Sequence, residues 1–173
     1  MAKVRMTPSE AFVEQLAAEG IDTIWGIVGS AFKDALDIFP KAGIRFISVA
    51  HEQAAAHAAD AMARVTGRPQ ACIAQNVPPH CQLCLSHRRC LLYPHSPVVC
   101  ITPEAGTSGI GLGGFQELDQ MPMFEKQTVF QVSASSRPHG PNLMRQCFHM
   151  AKVENDFPPN STSPVISLRR SRL

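Results

Sequence analysis

Apolar positions along this chain switch repeatedly between two spacings. Thr7-Pro8-Ser9-Glu10 opens a run in which Phe12, Val13 and Leu16 recur at helical intervals until Gly20. A threonine three residues before a glutamate, with proline at the first helical position, satisfies and pre-shapes a first helical turn, so a helix is predicted there. Thr23-Ile24-Trp25-Gly26-Ile27-Val28 is short and almost wholly apolar, as a strand covered on both faces must be. The same reasoning predicts a helix from Ala31 to Phe39 stopped by Pro40, a strand from Ile44 to Ala50 and a helix from Gln53 to Val65. It further predicts a strand from Gln70 to Gln75, a strand from Pro97 to Thr102 and a helix from Asn142 to Val153. Short apolar strands alternating with helices define an α/β domain: a mainly parallel sheet flanked by helices.

Two stretches break the pattern. Residues 77–94, from Val77-Pro78-Pro79 through Cys81, Cys84, His87, Arg88, Arg89 and Cys90 to Pro94, follow neither helical nor strand periodicity. If no helix forms there, apolar surface around Ile73 and Val99 should lie uncovered. From Asn155 the chain is again loop-like, rich in proline and serine, and ends in a basic tail with Arg169, Arg170 and Arg172. The expected organisation is therefore one domain over residues 1–154, disrupted at 77–94, followed by an irregular tail at 155–173.

Composition narrows the function classes. With 173 residues, 45% hydrophobic and 17% charged, the chain can bury one sizeable core. A formal charge of +2 gives no electrostatic footprint for nucleic acid or an anionic membrane. The N-terminus lacks the apolar core of a signal peptide and no run approaches the length of a membrane span, so a cytoplasmic location is expected.

Among the candidate chemical groups, Glu52 comes first. It follows the apolar run Ile44–Ala50 directly and begins the alanine-rich pattern His51-Glu52-Gln53-Ala54-Ala55-Ala56-His57-Ala58-Ala59-Asp60-Ala61. A carboxylate aimed out of the end of a strand at reduced dielectric is suited to share a proton or a strong hydrogen bond with a ring nitrogen, although a glutamate that merely complements the helix dipole would look the same. Ligands of parallel sheets gather beyond the carboxyl ends of the strands, where Glu52 and Gly29-Ser30 should both lie. Cys81-x-x-Cys84-x-x-His87-x-x-Cys90 has the ligand types of a zinc site, but zinc sites usually split their ligands into two separated pairs, so no metal is expected. Gly109-x-Gly111-x-x-Gly114 copies a dinucleotide fingerprint in letters only: it stands seven residues past Thr102 and runs into Phe115-Gln116-Glu117. A flexible active-site loop is the expectation. His51 and His57 are too far apart for a metalloprotease helix, and no Gly-x-Ser-x-Gly elbow occurs.

The stretch from Gly26 to Gly67, together with His95-Ser96-Pro97-Val98-Val99, Ile101-Thr102-Pro103-Glu104 and Gly111-Leu112-Gly113-Gly114-Phe115-Gln116-Glu117, resembles the thiamine-diphosphate enzymes of the acetolactate synthase group. Within that group the similarity is greatest to the branch acting on sulfoacetaldehyde. It spans roughly residues 4–76 and 95–153 and implies the pyrimidine-binding domain of such an enzyme. The resemblance implies that Glu52 is catalytic, hydrogen-bonding the aminopyrimidine ring of thiamine diphosphate, and that Gly29, Ser30 and Asn76 also contact the cofactor. It implies that Phe115 and Gln116 line the substrate side. The implied reaction takes sulfoacetaldehyde and phosphate to acetyl phosphate and sulfite in sulfonate (taurine) breakdown, with acetolactate-type carboligation as the alternative within the group. A small non-enzymatic α/β module binding metal through Cys81, Cys84, His87 and Cys90 is the alternative outside it. Relatives hold the diphosphate and Mg2+ on a later domain through a Gly-Asp-Gly motif, which this sequence lacks, and they assemble as homo-oligomers. Where relatives have a glycine-proline-glycine turn and a small-residue helix, residues 77–94 differ while the spacing is kept, as two compensating reading-frame shifts would produce. A third shift near Asn155 would account for the tail. On this reading the central and diphosphate-binding domains are absent, and the chain is a truncated product, inactive alone.

Overall fold

The computed structural model describes residues 6–75, 96–104, 106, 109–114, 117–125, 128, 130–134, 139–153 and 165–169. The first helix, α1 (Pro8–Ala18), begins as its sequence demands. Thr7 Oγ1 accepts from the Glu10 amide at 3.2 Å, and the Glu10 carboxylate accepts from the Thr7 amide at 2.7 Å, so two donors of the open turn are satisfied reciprocally. The helix stops at Gly20, whose φ of +83° lets its amide reach Ala17 O (3.0 Å) and the Ile21 amide reach Leu16 O (3.1 Å). This closure turns Ile21 into the core and feeds the chain into β1 (Thr23–Gly26).

The other elements follow in order: α2 (Lys33–Leu36), a 3-10 turn (Phe39–Ala42), β2 (Arg45–Ser48), α3 (Glu52–Thr66), β3 (Gln70–Ile73), β4 (Val98–Glu104), α4 (Met121–Phe124), β5 (Gln131–Ala134), α5 (Gly140–Val153) and β6 (Val165–Arg169). The six strands form one sheet in the order β2-β1-β3-β4-β6-β5, every pair parallel. Successive side chains leave a strand on opposite faces, and β3 and β4 divide accordingly. Ala71, Ile73, Val99 and Ile101 join one core with Val13 and Leu16 of α1 and Met144, Cys147 and Phe148 of α5. Cys72, Ala74, Val98 and Cys100 face the other way, onto Ala55, Ala56, Ala59 and Ala63 of α3 and Phe124 of α4. The α/β architecture with helices on both faces agrees with the sequence expectation.

Several details differ from it. The helix expected over Ala31–Phe39 is only the short α2, followed by a separate 3-10 turn that contains Pro40 rather than ending before it. Proline lacks the N–H that an α-helix would need there, but the start of a new turn does not use that donor. Phe39, 1% exposed, anchors the new turn, and Gly43 at φ +73° ends it. The sequence pattern missed β5 and α4. The tail expected to be irregular supplies β6, which lies between β4 and β5: Thr102 pairs with Ser167 on one side and Ser133 with Ser167 on the other. Val165-Ile166-Ser167-Leu168 is a fully paired strand hidden behind a proline-rich approach. Ile73 and Val99, expected to be uncovered, are fully buried, because α5 lies over that face. Residues 77–94 themselves lie outside the described residues, and with them the expectation of a disrupted segment.

No helix of the described residues is long and apolar enough to cross a membrane.

Candidate active site at the carboxyl rim of the sheet

Three neighbouring strands, β2, β1 and β3, deliver their carboxyl ends to one rim. From β2 the chain turns through Val49, whose amide donates to Gly26 O at 3.0 Å and ties the β2–α3 connection to β1. It then enters α3 with His51 as the cap, in extended conformation (φ −150°, ψ 138°), and Glu52 as the first helical residue. His51 Nδ1 accepts from the Gln53 amide at 3.2 Å, in place of the usual serine or aspartate oxygen. The His51 carbonyl accepts from the Ala54 amide at 2.9 Å, so the turn bearing Glu52 is fixed at both levels. Behind it the alanine face of α3 allows the helix to approach the sheet closely. Glu52 is partly buried, a carboxylate at a helix N-terminus where the backbone dipole favours negative charge.

From β1 the chain leaves through Ile27 and Val28 into Gly29-Ser30-Ala31. Gly26 and Gly29 are required for space. A Cβ on Gly26 would stand 2.3 Å from the Ile73 carbonyl oxygen, and one on Gly29 would stand 1.9 Å from Gln75 Oε1. Gln75, just past β3, reaches back across the rim: its Oε1 accepts from the Ala31 amide at 3.1 Å, and its Nε2 donates to Ser30 Oγ at 3.1 Å. The rim thus brings together the ends of the strands that carry Glu52, Gly29 and Ser30. Sequence reasoning missed Gln75, which it treated as the end of a strand. The available signal was a polar side chain at a strand's carboxyl end opposite a glycine turn.

A second loop follows β4. Residues 109–114 form turns, with Gly111 at φ +82° and Gly113 at +65°, and α4 begins only at Met121. The glycine triad therefore does not join a strand tightly to a helix, as the sequence reading expected. Glu117 closes the loop, its carboxylate accepting from the Gly111 amide and, at 3.0 Å, from the Gly114 amide. Those backbone hydrogen bonds hold its carboxyl below the usual glutamate range.

Asn76, Phe115 and Gln116 lie outside the described residues, as do Cys81, Cys84, His87 and Cys90. Among the described residues no group of three or more histidine, cysteine, aspartate or glutamate side chains is placed to hold a metal ion.

The parallel sheet, with helices on both faces, carries at its carboxyl rim a helix-initial glutamate after β2 and a glycine turn after β1, on the side where such sheets bind ligands. The chain belongs to the family described as thiamine pyrophosphate enzyme, N-terminal TPP binding domain, whose sequence profile matches residues 6–123. It is 50% identical over 149 residues, 86% of its length, to the sulfoacetaldehyde acetyltransferase of Castellaniella defragrans, and 55% identical over 127 residues, 73% of its length, to that of Alcaligenes xylosoxydans xylosoxydans. A probable acetolactate synthase large subunit of Methanocaldococcus jannaschii is 30% identical over 159 residues, 92% of this chain. The chain spans 25%, 21% and 27% of the lengths of these three relatives.

Proposed function

We propose that this chain is the pyrimidine-side domain of a thiamine-diphosphate-dependent sulfoacetaldehyde acetyltransferase, the enzyme that converts sulfoacetaldehyde and phosphate to acetyl phosphate and sulfite during sulfonate breakdown. The observation that carries the reading is the rim itself, where Glu52 begins α3 at the end of β2 and the neighbouring strand ends carry the Gly29-Ser30 turn and Gln75. The donor set fits an aminopyrimidine: a carboxylate to share a proton with a ring nitrogen, and an exposed hydroxyl on a glycine turn. Bound thiamine diphosphate supplies the carbanion chemistry, which no side chain provides. Glu52 holds or returns one proton at the ring nitrogen, and its partial burial strengthens that hydrogen bond by limiting competition from water. His51 fixes the turn on which Glu52 sits. The family resemblance would give Phe115 and Gln116 a substrate-side role and Asn76 a cofactor contact, all three at positions outside the described residues.

The diphosphate and Mg2+ are assigned to another part of the enzyme, since no Gly-Asp-Gly motif occurs in these 173 residues. The active unit is then a cytoplasmic homo-oligomer, and the chain alone is expected to form no acetyl phosphate. Identities of 50% and 55% to two acetyltransferases, against 30% to an acetolactate synthase, favour acetyl transfer to phosphate over carboligation.

The test is a hybrid in which residues 6–123 replace the matching segment of the Castellaniella defragrans enzyme. Acetyl phosphate formed from sulfoacetaldehyde and phosphate is the expected product. A hybrid that instead makes acetolactate from pyruvate would move the assignment to the synthases.

A further inference from the structure

Gln75 and Ser30 together carry an inference about hydrogen-bond polarity. An amide side chain has one accepting and one donating end, and its orientation is settled by whichever neighbour can only donate or only accept. Here that neighbour is the Ala31 backbone N–H, which can only donate and lies 3.1 Å from the Gln75 side chain. The atom facing Ala31 must therefore be Oε1, and the atom facing Ser30 Oγ, also at 3.1 Å, must be the Nε2 amino group. An amino group has no lone pair to offer, so Ser30 Oγ accepts from it. The Ser30 O–H is thereby turned away from Gln75, and Ser30 is exposed at the rim. Gly29 completes the device, because any side chain there would collide with Gln75 Oε1 and break the clamp.

We propose that Gln75 is a positioning residue that sets Ser30 as a hydrogen-bond donor, so that the group docking at this part of the rim must present an acceptor to Ser30. This rests on the reading of the rim as a thiamine diphosphate site and assigns a polarity to that site. One substitution tests it with little change of shape. In Gln75→Glu both side-chain oxygens accept, so the Ala31 bond persists while Ser30 must turn its O–H inward and present only lone pairs outward.

The orientation is measured first, without ligand, on the 173-residue chain. A scalar coupling across the hydrogen bond between the Ala31 amide nitrogen and Gln75 Cδ is expected, with proximity between the Gln75 side-chain amino protons and the Ser30 β protons. Absence of both overturns the proposal, whatever binds at the rim. The consequence is then read on the Castellaniella defragrans hybrid, which carries the diphosphate-binding part, by titrating thiamine diphosphate in the presence of Mg2+. Gln75→Glu is expected to weaken binding about tenfold, the size of one lost hydrogen bond, with the melting temperature and the Ala31 amide unchanged. Ser30→Ala should weaken it similarly, and the double variant should be no weaker than either single one. Wild-type affinity in Gln75→Glu, or additive losses in the double variant, would overturn the polarity assignment. Failure of the unsubstituted hybrid to bind at all would count against the cofactor reading, and the coupling measurement would still decide the orientation of Gln75.

Discussion

Individual side chains in this domain are constrained more by one another than by their own preferences. Gly29 is glycine because Gln75 occupies the space where its Cβ would stand, not because its backbone needs a left-handed turn. Gly29→Ala is expected to cost about 1–3 kcal/mol through overpacking, and Gln75→Ala in the same chain should recover most of that loss. Denaturant melts of the two single variants and the double variant check this, and strictly additive losses would contradict the steric account. Glu117 offers a pH test. Its folded carboxyl lies below the usual range, held there first by the Gly111 and Gly114 amides, so its grip on the loop is complete above the ordinary glutamate value of about 4.3 and is lost as pH falls through the lowered folded value. The Gly111 and Gly114 amide resonances should titrate with a midpoint below about 4.3 and lose that titration in Glu117→Gln. Cys147 lies in the core, and burial pushes its thiol up from 9.0 to about 12. The reactive thiolate is then about a thousandfold scarcer than for an ordinary cysteine, and peptide mapping after alkylation of the native chain at pH 8 should find Cys147 unmodified.

At the scale of elements, α1 and α3 were legible because local chemistry and tertiary packing agree. Thr7-Pro8-Ser9-Glu10 encodes its own helix start, and Thr7→Ala should cost about 1 kcal/mol, read from a shift in the denaturation midpoint. The alanines of α3 encode a close helix–sheet contact, and Ala59→Leu, at a fully buried position, is expected to destabilise by about 1–3 kcal/mol. The elements that escaped the sequence pattern are short or depend on distant partners. Gln131-Val132-Ser133-Ala134 is too short and too polar to announce a strand, and it becomes β5 only by pairing with β6. Val165–Arg169 is itself defined by its two neighbours, β4 and β5, and a single-sequence reading sees only the prolines before it. Pro40 misled in the opposite sense, since proline ends one helix and can equally open the next turn.

For the whole molecule, the position of the candidate site was legible where its residues sit at strand ends. Glu52, Gly29 and Ser30 follow from the alternation of strands and helices, because a parallel sheet sends every such connection to the same rim. Gln75 was not legible, because its role depends on a contact 44 residues back along the chain. The chain brings a carboxylate and a polar turn to that rim, and relatives of which it spans about a quarter name the chemistry proposed for it. Glu52 is the residue on which the proposed chemistry turns, and its role is measured by proton exchange at the thiazolium carbon of thiamine diphosphate bound to the Castellaniella defragrans hybrid. With Glu52 in place exchange should be fast. Glu52→Gln should slow it by at least about a hundredfold, the usual scale of general acid–base assistance, while cofactor affinity changes little. Exchange at the unsubstituted rate in the glutamine variant, with the cofactor demonstrably bound, would contradict the assignment of this rim.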